Sequence, residues 1–245
     1  MHADRAFYGR DLAHVHDAAF GDLARAGAAE LLERLRGAGI ASGLVVDLGT
    51  GSGIAAQALT EAGYAVLGVD VSADLLELAR RRAPGATFVE ASLHEFQLPA
   101  CAAVTAIGEC LSYANAGRPE LTGLFARVHD ALSPGGLFLF DVACPGREAA
   151  GPRRTWHEGA DWILCFEAEE RAAERLLTRR ITVFRRAGDA YRRSDEVHTL
   201  HLYEPAEVLE QLVRAGFEAT QLPGYVGRLR FVPGHAGFAA VRRAL

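Results

Sequence analysis

The chain has 245 residues and a mass of 26.3 kDa, enough for one large domain with a sizeable hydrophobic core. Its net charge is −5, which gives no overall attraction to nucleic acid. All 26 basic residues are arginine, so Schiff-base chemistry on a lysine and a lysine-containing phosphate loop are both excluded. A charged N-terminus, no apolar run of about 20 residues, and four cysteines without Cys-x-x-Cys spacing predict a cytoplasmic protein without membrane segments.

The first two thirds of the chain alternate between helical and strand-like patterns. Apolar residues recur at helical spacing between residues 10 and 37, which predicts two helices before the first strand. The run "GLVVDLGTG" is typical of a strand buried on both faces. Further helices are predicted over 54–62, 73–83 and 119–132, and further strands over 64–70, 86–91, 102–108 and 135–142. This alternation predicts parallel βαβ units in a doubly wound α/β sheet.

The pattern changes after Pro152. Alternating or β-rich segments at 162–167, 176–186 and 191–203 predict an insertion of about three antiparallel strands. Helical spacing returns at 205–214, and two closing strands are predicted at 216–222 and 237–245.

The segment "VVDLGTGSG" carries the main functional signal. A predicted strand ends at Asp47 and leads into Gly49, Gly51 and Gly53. Glycines permit a positive φ in a tight turn and let a ligand approach the backbone closely. The second strand ends in Asp70, whose carboxylate can accept hydrogen bonds from both hydroxyls of a ribose. These features predict a cofactor with an adenosine-like end.

The spacing of the glycines bears on which cofactor this is. A dinucleotide fingerprint is Gly-x-Gly-x-x-Gly, whereas Gly53 comes one position early and Ile54 occupies the place of the third glycine. The carboxylate of Asp47 would repel a nearby pyrophosphate and attract a cation. An adenosyl cofactor with a sulfonium and an ammonium group fits this charge.

Residues 40–145 resemble the class I S-adenosylmethionine-dependent methyltransferase family. "VVDLGTGSG" is similar to the first motif of that family, "VLGVDVS" to the second, "FVEASLHEFQLP" to the third, "VTAIGECLSY" to the fourth, and "LSPGGLFLFDV" to its following helix end and fifth strand. The resemblance implies S-adenosyl-L-methionine as cofactor and S-adenosyl-L-homocysteine as product. It also implies a Rossmann-like, doubly wound seven-stranded sheet of order 3-2-1-4-5-7-6, with only the seventh strand antiparallel. The β insertion then lies between strands 5 and 6.

The expected organisation is a single methyltransferase domain over residues 1–245. It consists of an N-terminal helical lid (1–40), a cofactor-binding core (41–150), a β insertion over the acceptor pocket (151–204), and a closing helix and strands (205–245). Ser92, with Glu90 as the alternative, is expected near the adenine. The motifs and the resemblance assign cofactor binding to Tyr8, Asp47, Gly49, Thr50, Gly51, Asp70, Val71, Ser92, Leu93, Gly108 and Glu109.

The expected acceptor is a small-molecule metabolite, methylated on nitrogen or oxygen. Gly108 and Glu109 stand where DNA and RNA amino-methyltransferases carry an Asn/Asp-Pro-Pro-aromatic signature, so no nucleic-acid partner is expected. No membrane partner is expected, and the protein is predicted to be a monomer or homodimer. Three alternatives remain open: an S-adenosylmethionine-binding protein without methyl transfer, an NAD-dependent oxidoreductase, and an RNA methyltransferase.

Candidate catalytic residues fall in three parts of the chain. Glu109, His16 and Tyr113 are the first choices, although a base is needed only if the nucleophile arrives protonated. The C-terminal Arg228 and Arg230 are candidates for binding an acidic acceptor. His198 and His201 should face opposite sides of a strand, so no metal site is predicted. The insertion contributes the candidates Trp156, His157, Trp162, Arg179, Arg180, His198, His201 and Tyr203.

Overall fold

The computed structural model describes residues 7–114, 121–148, 150–226 and 229–243. The helices are α1 (Arg10–Ala19), α2 (Asp22–Gly37), α3 (Ile54–Glu61), α4 (Ala73–Arg82), α5 (Leu121–Ala131) and α6 (Pro205–Arg214). The strands are β1 (Leu44–Leu48), β2 (Ala65–Asp70), β3 (Thr87–Glu90), β4 (Cys101–Ala106), β5 (Leu132–Ala143), β6 (Arg153–Glu158), β7 (Trp162–Arg171), β8 (Leu176–Ala187), β9 (Ala190–His201), β10 (Phe217–Leu222), β11 (Gly224–Tyr225), β12 (Leu229–Arg230) and β13 (His235–Arg242). Within these ranges, no helix is long and apolar enough to cross a membrane.

Seven strands form the main sheet, in the order β10-β13-β5-β4-β1-β2-β3. The pairs within β5-β4-β1-β2-β3 are all parallel, and β13 is antiparallel to both of its neighbours. Since β10 and β13 are the sixth and seventh strands of this sheet along the chain, the predicted order 3-2-1-4-5-7-6 is confirmed. The Rossmann-like α/β class predicted from the sequence is confirmed with it.

The alternation of side chains along β5 shows how the core is divided. Phe138 and Phe140 pack with Phe125 of α5 on one face of the sheet, in a cluster that also contains residues of α6. Leu137 and Leu139 point to the other face, where residues of α2 and α3 cover them. Successive residues of a strand face opposite sides, so a strand buried on both faces is apolar throughout. The carboxyl ends of the parallel strands frame the site described below.

A second, antiparallel sheet of four strands, in the order β6-β7-β8-β9, follows β5 in the chain. It lies within the predicted insertion but has one strand more than expected. The extra strand is β6, "RRTWHE". It is exposed over most of its length, and β7 is the one described strand with which it pairs. An edge strand of this kind buries too little to show an apolar alternation.

The insertion sheet lies over the carboxyl end of β5 and against the N-terminal helix. Tyr203 N donates to Ala143 O at 2.9 Å, which joins the end of the insertion to the end of β5. Leu12 and Val15 of α1 pack with Trp162 and Ile181 of the insertion sheet in one buried cluster. The N-terminal helix and the insertion therefore form one continuous cover above the main sheet.

Candidate active site

A cavity of about 650 Å³ opens at the carboxyl ends of β1, β2 and β4, where ligands bind in open α/β sheets. Its lining includes Gly51 and Asp70, which follow β1 and end β2, and Glu109, which follows β4. Tyr8, ahead of α1, and Ile181 of β8 belong to its cover. The cavity therefore joins the predicted cofactor-binding loop to the insertion.

Three glycines shape the loop after β1. Gly49, Gly51 and Gly53 have φ of 68°, 56° and 77°, in the left-handed region that favours glycine. A Cβ on Gly49 would lie 2.6 Å from Cβ of Cys110, and one on Gly53 would lie 2.9 Å from Cα of Ala79. A Cβ on Gly51 would meet nothing within 4 Å. Gly49 and Gly53 thus allow close packing, whereas Gly51 leaves space that faces the cavity.

Replacing Gly51 by alanine should weaken ligand binding while leaving the protein folded. We expect Gly51→Ala to cost about 1 kcal/mol of stability through the positive φ and to weaken S-adenosylmethionine binding by about tenfold or more, because the new methyl group enters the cavity. The matched control is Gly39→Ala, which has a similar φ of 70° and open surroundings at the end of α2. Calorimetric titration and thermal melting of both variants check this. Equal cofactor affinity in the two variants would contradict the placement of Gly51.

Asp70 connects the end of β2 to the glycine loop. Its Oδ2 accepts a hydrogen bond from Gly51 N at 2.8 Å, and its Oδ1 accepts one from Ser72 N at 2.9 Å. Burial raises the pKa of Asp70, and the N–H groups of Ser72 and Gly51 act in the opposite direction. The carboxylate lines the cavity and keeps lone pairs for further donors. This is the arrangement that a ribose-binding carboxylate requires.

Asp47 lies behind the loop rather than on the cavity wall. It is 2% exposed, and its Oδ2 accepts a hydrogen bond from Thr50 Oγ1 at 2.6 Å. Burial raises the pKa of Asp47 to about 7, although the Thr50 hydroxyl lowers it. The sequence predicted direct cofactor contact here, whereas the structure shows Asp47 holding Thr50, which does line the cavity.

The other predicted cofactor residues lie around the same cavity. Those lining it, besides Gly49, Thr50, Gly51 and Asp70, are Tyr8, Val71, Ser92, Leu93, Gly108 and Glu109. Glu90, the alternative adenine contact, is exposed at the end of β3 and is outside the described lining. The backbone of Ser92 begins a turn by accepting from Glu95 N and Phe96 N, which presents Ser92 and Leu93 to the cavity.

Glu109 is a buried carboxylate held by two arginines. Arg179 Nη2 donates to its Oε2 at 2.6 Å, and Arg147 Nη2 donates to its Oε1. Burial alone would raise the pKa of Glu109, but the charges of Arg179 and Arg147 outweigh it and lower the pKa to about 2. An ionised carboxylate held this firmly is a poor proton acceptor. Its surroundings therefore favour a binding role over that of a general base.

Sequence reasoning missed Asp141, which fixes the backbone beneath Glu109. This fully buried side chain, in β5, accepts hydrogen bonds from Gly108 N at 3.1 Å, from Glu109 N, and from Tyr225 Oη at 2.8 Å. Glu109 itself has a φ of 59°, which needs such support in a residue with a side chain. The available signal was a carboxylate inside the otherwise apolar run "LFLFDV", because a buried charge must find partners.

The segment before α1 is fastened over the cavity by Glu196 of β9. Glu196 Oε2 accepts from Tyr8 N at 2.8 Å, and its Oε1 accepts from Gly9 N at 3.0 Å. His198 Nε2 lies 2.8 Å from Glu196 Oε2, and the hydroxyls of Tyr8 and Tyr113 lie 2.8 Å apart. Glu196 was not a predicted site residue, and nothing in its local sequence indicated a partner 187 or 188 positions earlier.

Replacing Glu196 by alanine should loosen this fastening without unfolding the protein. Hydrogen bonds to a charged acceptor are worth about 1.5–3 kcal/mol each, so we expect the amides of Tyr8 and Gly9 to exchange with deuterium about tenfold faster or more. Asp195→Ala is the control, since Asp195 is exposed and pairs with Arg193 on the same strand. Hydrogen exchange read by NMR or mass spectrometry measures the effect. Unchanged protection in Glu196→Ala would show that other contacts hold the segment.

His16 is a neutral imidazole in the lining of the cavity. Burial lowers its pKa to about 4, so the imidazole is neutral at pH 7. Its Nδ1 is buried and has no hydrogen-bond partner among the described residues. Its ring packs edge-on against that of Tyr8, 4.9 Å between centroids. Tyr113, the third predicted catalytic residue, lines the same cavity, and burial raises the pKa of its hydroxyl.

The structure divides the candidates of the insertion into two groups. Those that line the cavity are His157, Arg179 and His198. Those outside its described lining are Trp156, Trp162, Arg180, His201 and Tyr203. Arg230 also lines the cavity, whereas Arg228 lies outside the described residues. In the described part of the chain, no group of three or more His, Cys, Asp or Glu side chains is placed to hold a metal ion.

Comparison with known proteins agrees with this geometry. Residues 45–136 match a family model described as a methyltransferase domain. A trans-aconitate 2-methyltransferase of Rhizobium leguminosarum is 35% identical over 132 residues, which are 51% of this chain and 48% of that one. The chain thus spans about half the length of that relative.

Two solved structures have the same fold. One is an S-adenosylmethionine-dependent methyltransferase from Clostridium acetobutylicum, with a TM-score of 0.80 at 18% identity over 95% of this chain and 98% of that one. The other is the sugar N-methyltransferase KedS8 from Streptoalloteichus, with a TM-score of 0.76 at 20% identity over 100% of this chain and 96% of that one.

The sheet order and the glycine loop define a doubly wound α/β fold with a cavity at the carboxyl ends of its strands, where such folds bind ligands. With the matching family model, residues 45–136 are a methyltransferase domain. The resemblance to S-adenosylmethionine-dependent methyltransferases, the enzyme class and the cofactor predicted from the sequence are confirmed.

Proposed function

We propose that the protein transfers the methyl group of S-adenosylmethionine to a nitrogen or oxygen atom of a small-molecule metabolite. The observation that carries this proposal is the 2.8 Å hydrogen bond from Gly51 N to Asp70, in a cavity that is also lined by Glu109 and Tyr113. The bond brings the two cofactor motifs together, and the rest of the cavity leaves room for an acceptor. A ligand seated at Gly51 and Asp70 would direct its other end toward Glu109 and Tyr113.

The charge at the cofactor end supports a cationic ligand. Burial raises the pKa of both Asp47 and Asp70, and hydrogen bonds from the Thr50 hydroxyl and from backbone N–H groups only partly offset it. A sulfonium and an ammonium group would stabilise these carboxylates, whereas a pyrophosphate would be repelled. The open space beside Gly51 suits a nucleoside ligand close to the backbone. The same features weigh against the alternative function, that of an NAD-dependent oxidoreductase.

The protein's contribution to the reaction is mainly binding and orientation. When bound, the cofactor supplies an already activated methyl group on sulfur. In this proposal Asp70 holds the ribose, Ser92 and Leu93 contact the adenine, and the cover above Glu109 holds the acceptor in line with the methyl group. Holding two reactants in line lowers the barrier by removing an entropic cost. If the nucleophile arrives protonated, neutral His16 is placed to take its proton.

The acceptor end lies beneath a cover. The insertion sheet and α1 meet above it in a buried cluster, and Glu196 fastens the preceding segment. A covered pocket suits a metabolite better than a folded RNA. The relative named for trans-aconitate and the fold neighbour named for a sugar also act on small molecules.

Calorimetry with S-adenosylmethionine, S-adenosylhomocysteine and NAD⁺ tests the proposal, together with formation of S-adenosylhomocysteine in pooled small-metabolite fractions. We expect saturable binding of the first two ligands and turnover with at least one fraction. Binding heat with NAD⁺ and none with the other two ligands would overturn the cofactor assignment. Cofactor binding without turnover in any fraction would favour a binding protein, and salt-dependent binding of tRNA would favour an RNA substrate.

A further inference from the structure

Arginine side chains surround the acceptor end of the cavity. Four arginines from four different parts of the chain line it: Arg147, Arg153, Arg179 and Arg230. Among the described lining residues, Glu109 is the carboxylate at this end, since Asp70 lies at the glycine loop and Asp22 at the start of α2. Arg153 has a partner outside the lining, Glu148, with Nε and Oε1 2.9 Å apart. Positive charge therefore exceeds negative charge where the acceptor binds.

The two buried arginines have more donors than Glu109 can use. The side chains of Arg147 and Arg179 are only 16% and 14% exposed, and both donate to the carboxylate of Glu109. Arg147 also donates from Nε and Nη2 to Gly234 O at 3.4 and 3.2 Å, and Arg179 hydrogen-bonds with the hydroxyl of Tyr113. Each guanidinium carries five N–H donors in a fork that matches a carboxylate. Asp141, the carboxylate beneath Glu109, is fully buried and accepts from the N–H groups of Gly108 and Glu109. With a carboxylate of the ligand bound beside that of Glu109, two carboxylates would pair with the two guanidinium groups of Arg147 and Arg179.

We propose that the acceptor is an organic acid and that the enzyme methylates its carboxylate, producing a methyl ester. This inference rests on the proposed methyl transfer. Arg179 and Arg147 would hold one carboxylate oxygen while the other attacks. In that step the oxygen forms a bond to the methyl carbon as the carbon–sulfur bond breaks, and the electron pair of that bond stays on sulfur. No proton is taken up or released, so the reaction needs no general base.

Two features of the site agree with a nucleophile that carries no proton. Glu109, the carboxylate beside the arginines, is held ionised and accepts from both of them, so it is unavailable for proton transfer. The walls between the arginines include the apolar side chains of Leu164, Phe166 and Ile181. Such walls exclude water and strengthen the pairing of guanidinium and carboxylate.

The test uses the purified chain, methyl-labelled S-adenosylmethionine, and a panel of mono-, di- and tricarboxylic acids, each paired with its amide. We expect label to be transferred to at least one acid and not to its amide, and alkali to release it as volatile methanol, since esters hydrolyse in base. A labelled product that resists alkali, or cofactor binding without transfer to any acid, would overturn the inference. Failure to bind the cofactor at all would instead overturn the proposed function.

Arginine variants identify the binding site of the acid. Arg179→Gln is expected to raise the KM for the acid about tenfold or more while leaving cofactor affinity within about twofold. Arg180→Gln is the matched control, because Arg180 is 59% exposed and faces Glu167 at 3.7 Å. Arg230→Gln, an exposed position on the same cavity, gives a second variant that does not disturb the buried cluster. An unchanged KM in both Arg179→Gln and Arg230→Gln would place the acid elsewhere.

Discussion

Replacing Asp70 by asparagine is expected to weaken S-adenosylmethionine binding about a hundredfold or more. Each hydrogen bond from a ribose hydroxyl to a charged acceptor contributes about 1.5–3 kcal/mol, and the amide lacks the charge and one acceptor oxygen. The amide NH₂ would also face the N–H of either Gly51 or Ser72, which now donate to the two carboxylate oxygens. Calorimetric titration of the cofactor measures the loss.

The control for this experiment is Asp74→Asn, in the first turn of α4. Asp74 is half-buried and outside the described lining of the cavity, so its variant should bind the cofactor normally. Thermal melting of both variants shows whether either has unfolded. Wild-type affinity in a folded Asp70→Asn protein would remove Asp70 from the cofactor site.

Replacing Glu109 by glutamine is expected to destabilise the fold by about 3 kcal/mol at pH 7. The loss leaves Arg147 and Arg179 buried without a counter-charge, and removal of one partner from a buried ion pair typically has an effect of this size. The pKa of Glu109 falls from its usual 4.5 to about 2, a shift that corresponds to about the same free energy. We also expect turnover to fall more than cofactor affinity, because Glu109 orients the arginines of the acceptor end.

The loss of stability in Glu109→Gln should depend on pH in a definite direction. A carboxyl group with a lowered pKa stabilises the folded state fully above its unfolded value of 4.5, and this contribution disappears as the pH falls toward 2. The stability difference between wild type and Glu109→Gln should therefore be constant from pH 5 to 8 and shrink below pH 4.5. Urea unfolding at several pH values measures it, with the exposed Glu33→Gln as control. A difference that does not change with pH would mean that Glu109 is not held ionised.

The part of the site that could be predicted lies close together in the sequence. Gly49, Gly51 and Gly53 belong to one loop, and Asp70 ends the next strand, so the local pattern was enough to place them at one edge of the sheet. The order of the strands came from the resemblance, because periodicity shows which segments are strands but not which ones pair. The prediction of the fold class rested on both.

The part that could not be predicted depends on contacts between distant residues. Glu109 meets Arg147 after 38 residues and Arg179 after 70, and no spacing rule connects them. Asp47 was expected at the cofactor, whereas the structure places it outside the described lining of the cavity, where its side chain accepts a hydrogen bond from Thr50. Side-chain direction in a loop is set by tertiary packing, which composition and periodicity do not contain.

The packing of α1 on the insertion sheet has a consequence for how the molecule assembles during synthesis. Leu12 and Val15 pack against Trp162, Leu164, Ile181 and Val183, which follow about 150 to 170 residues later in the chain. The first helix is thus translated long before the surface that buries it exists, and such distant contacts form late in folding. The first five strands of the main sheet can pair before the insertion is made, but their ligand-binding edge stays uncovered until β8 has left the ribosome, and β10 and β13 join the sheet later still.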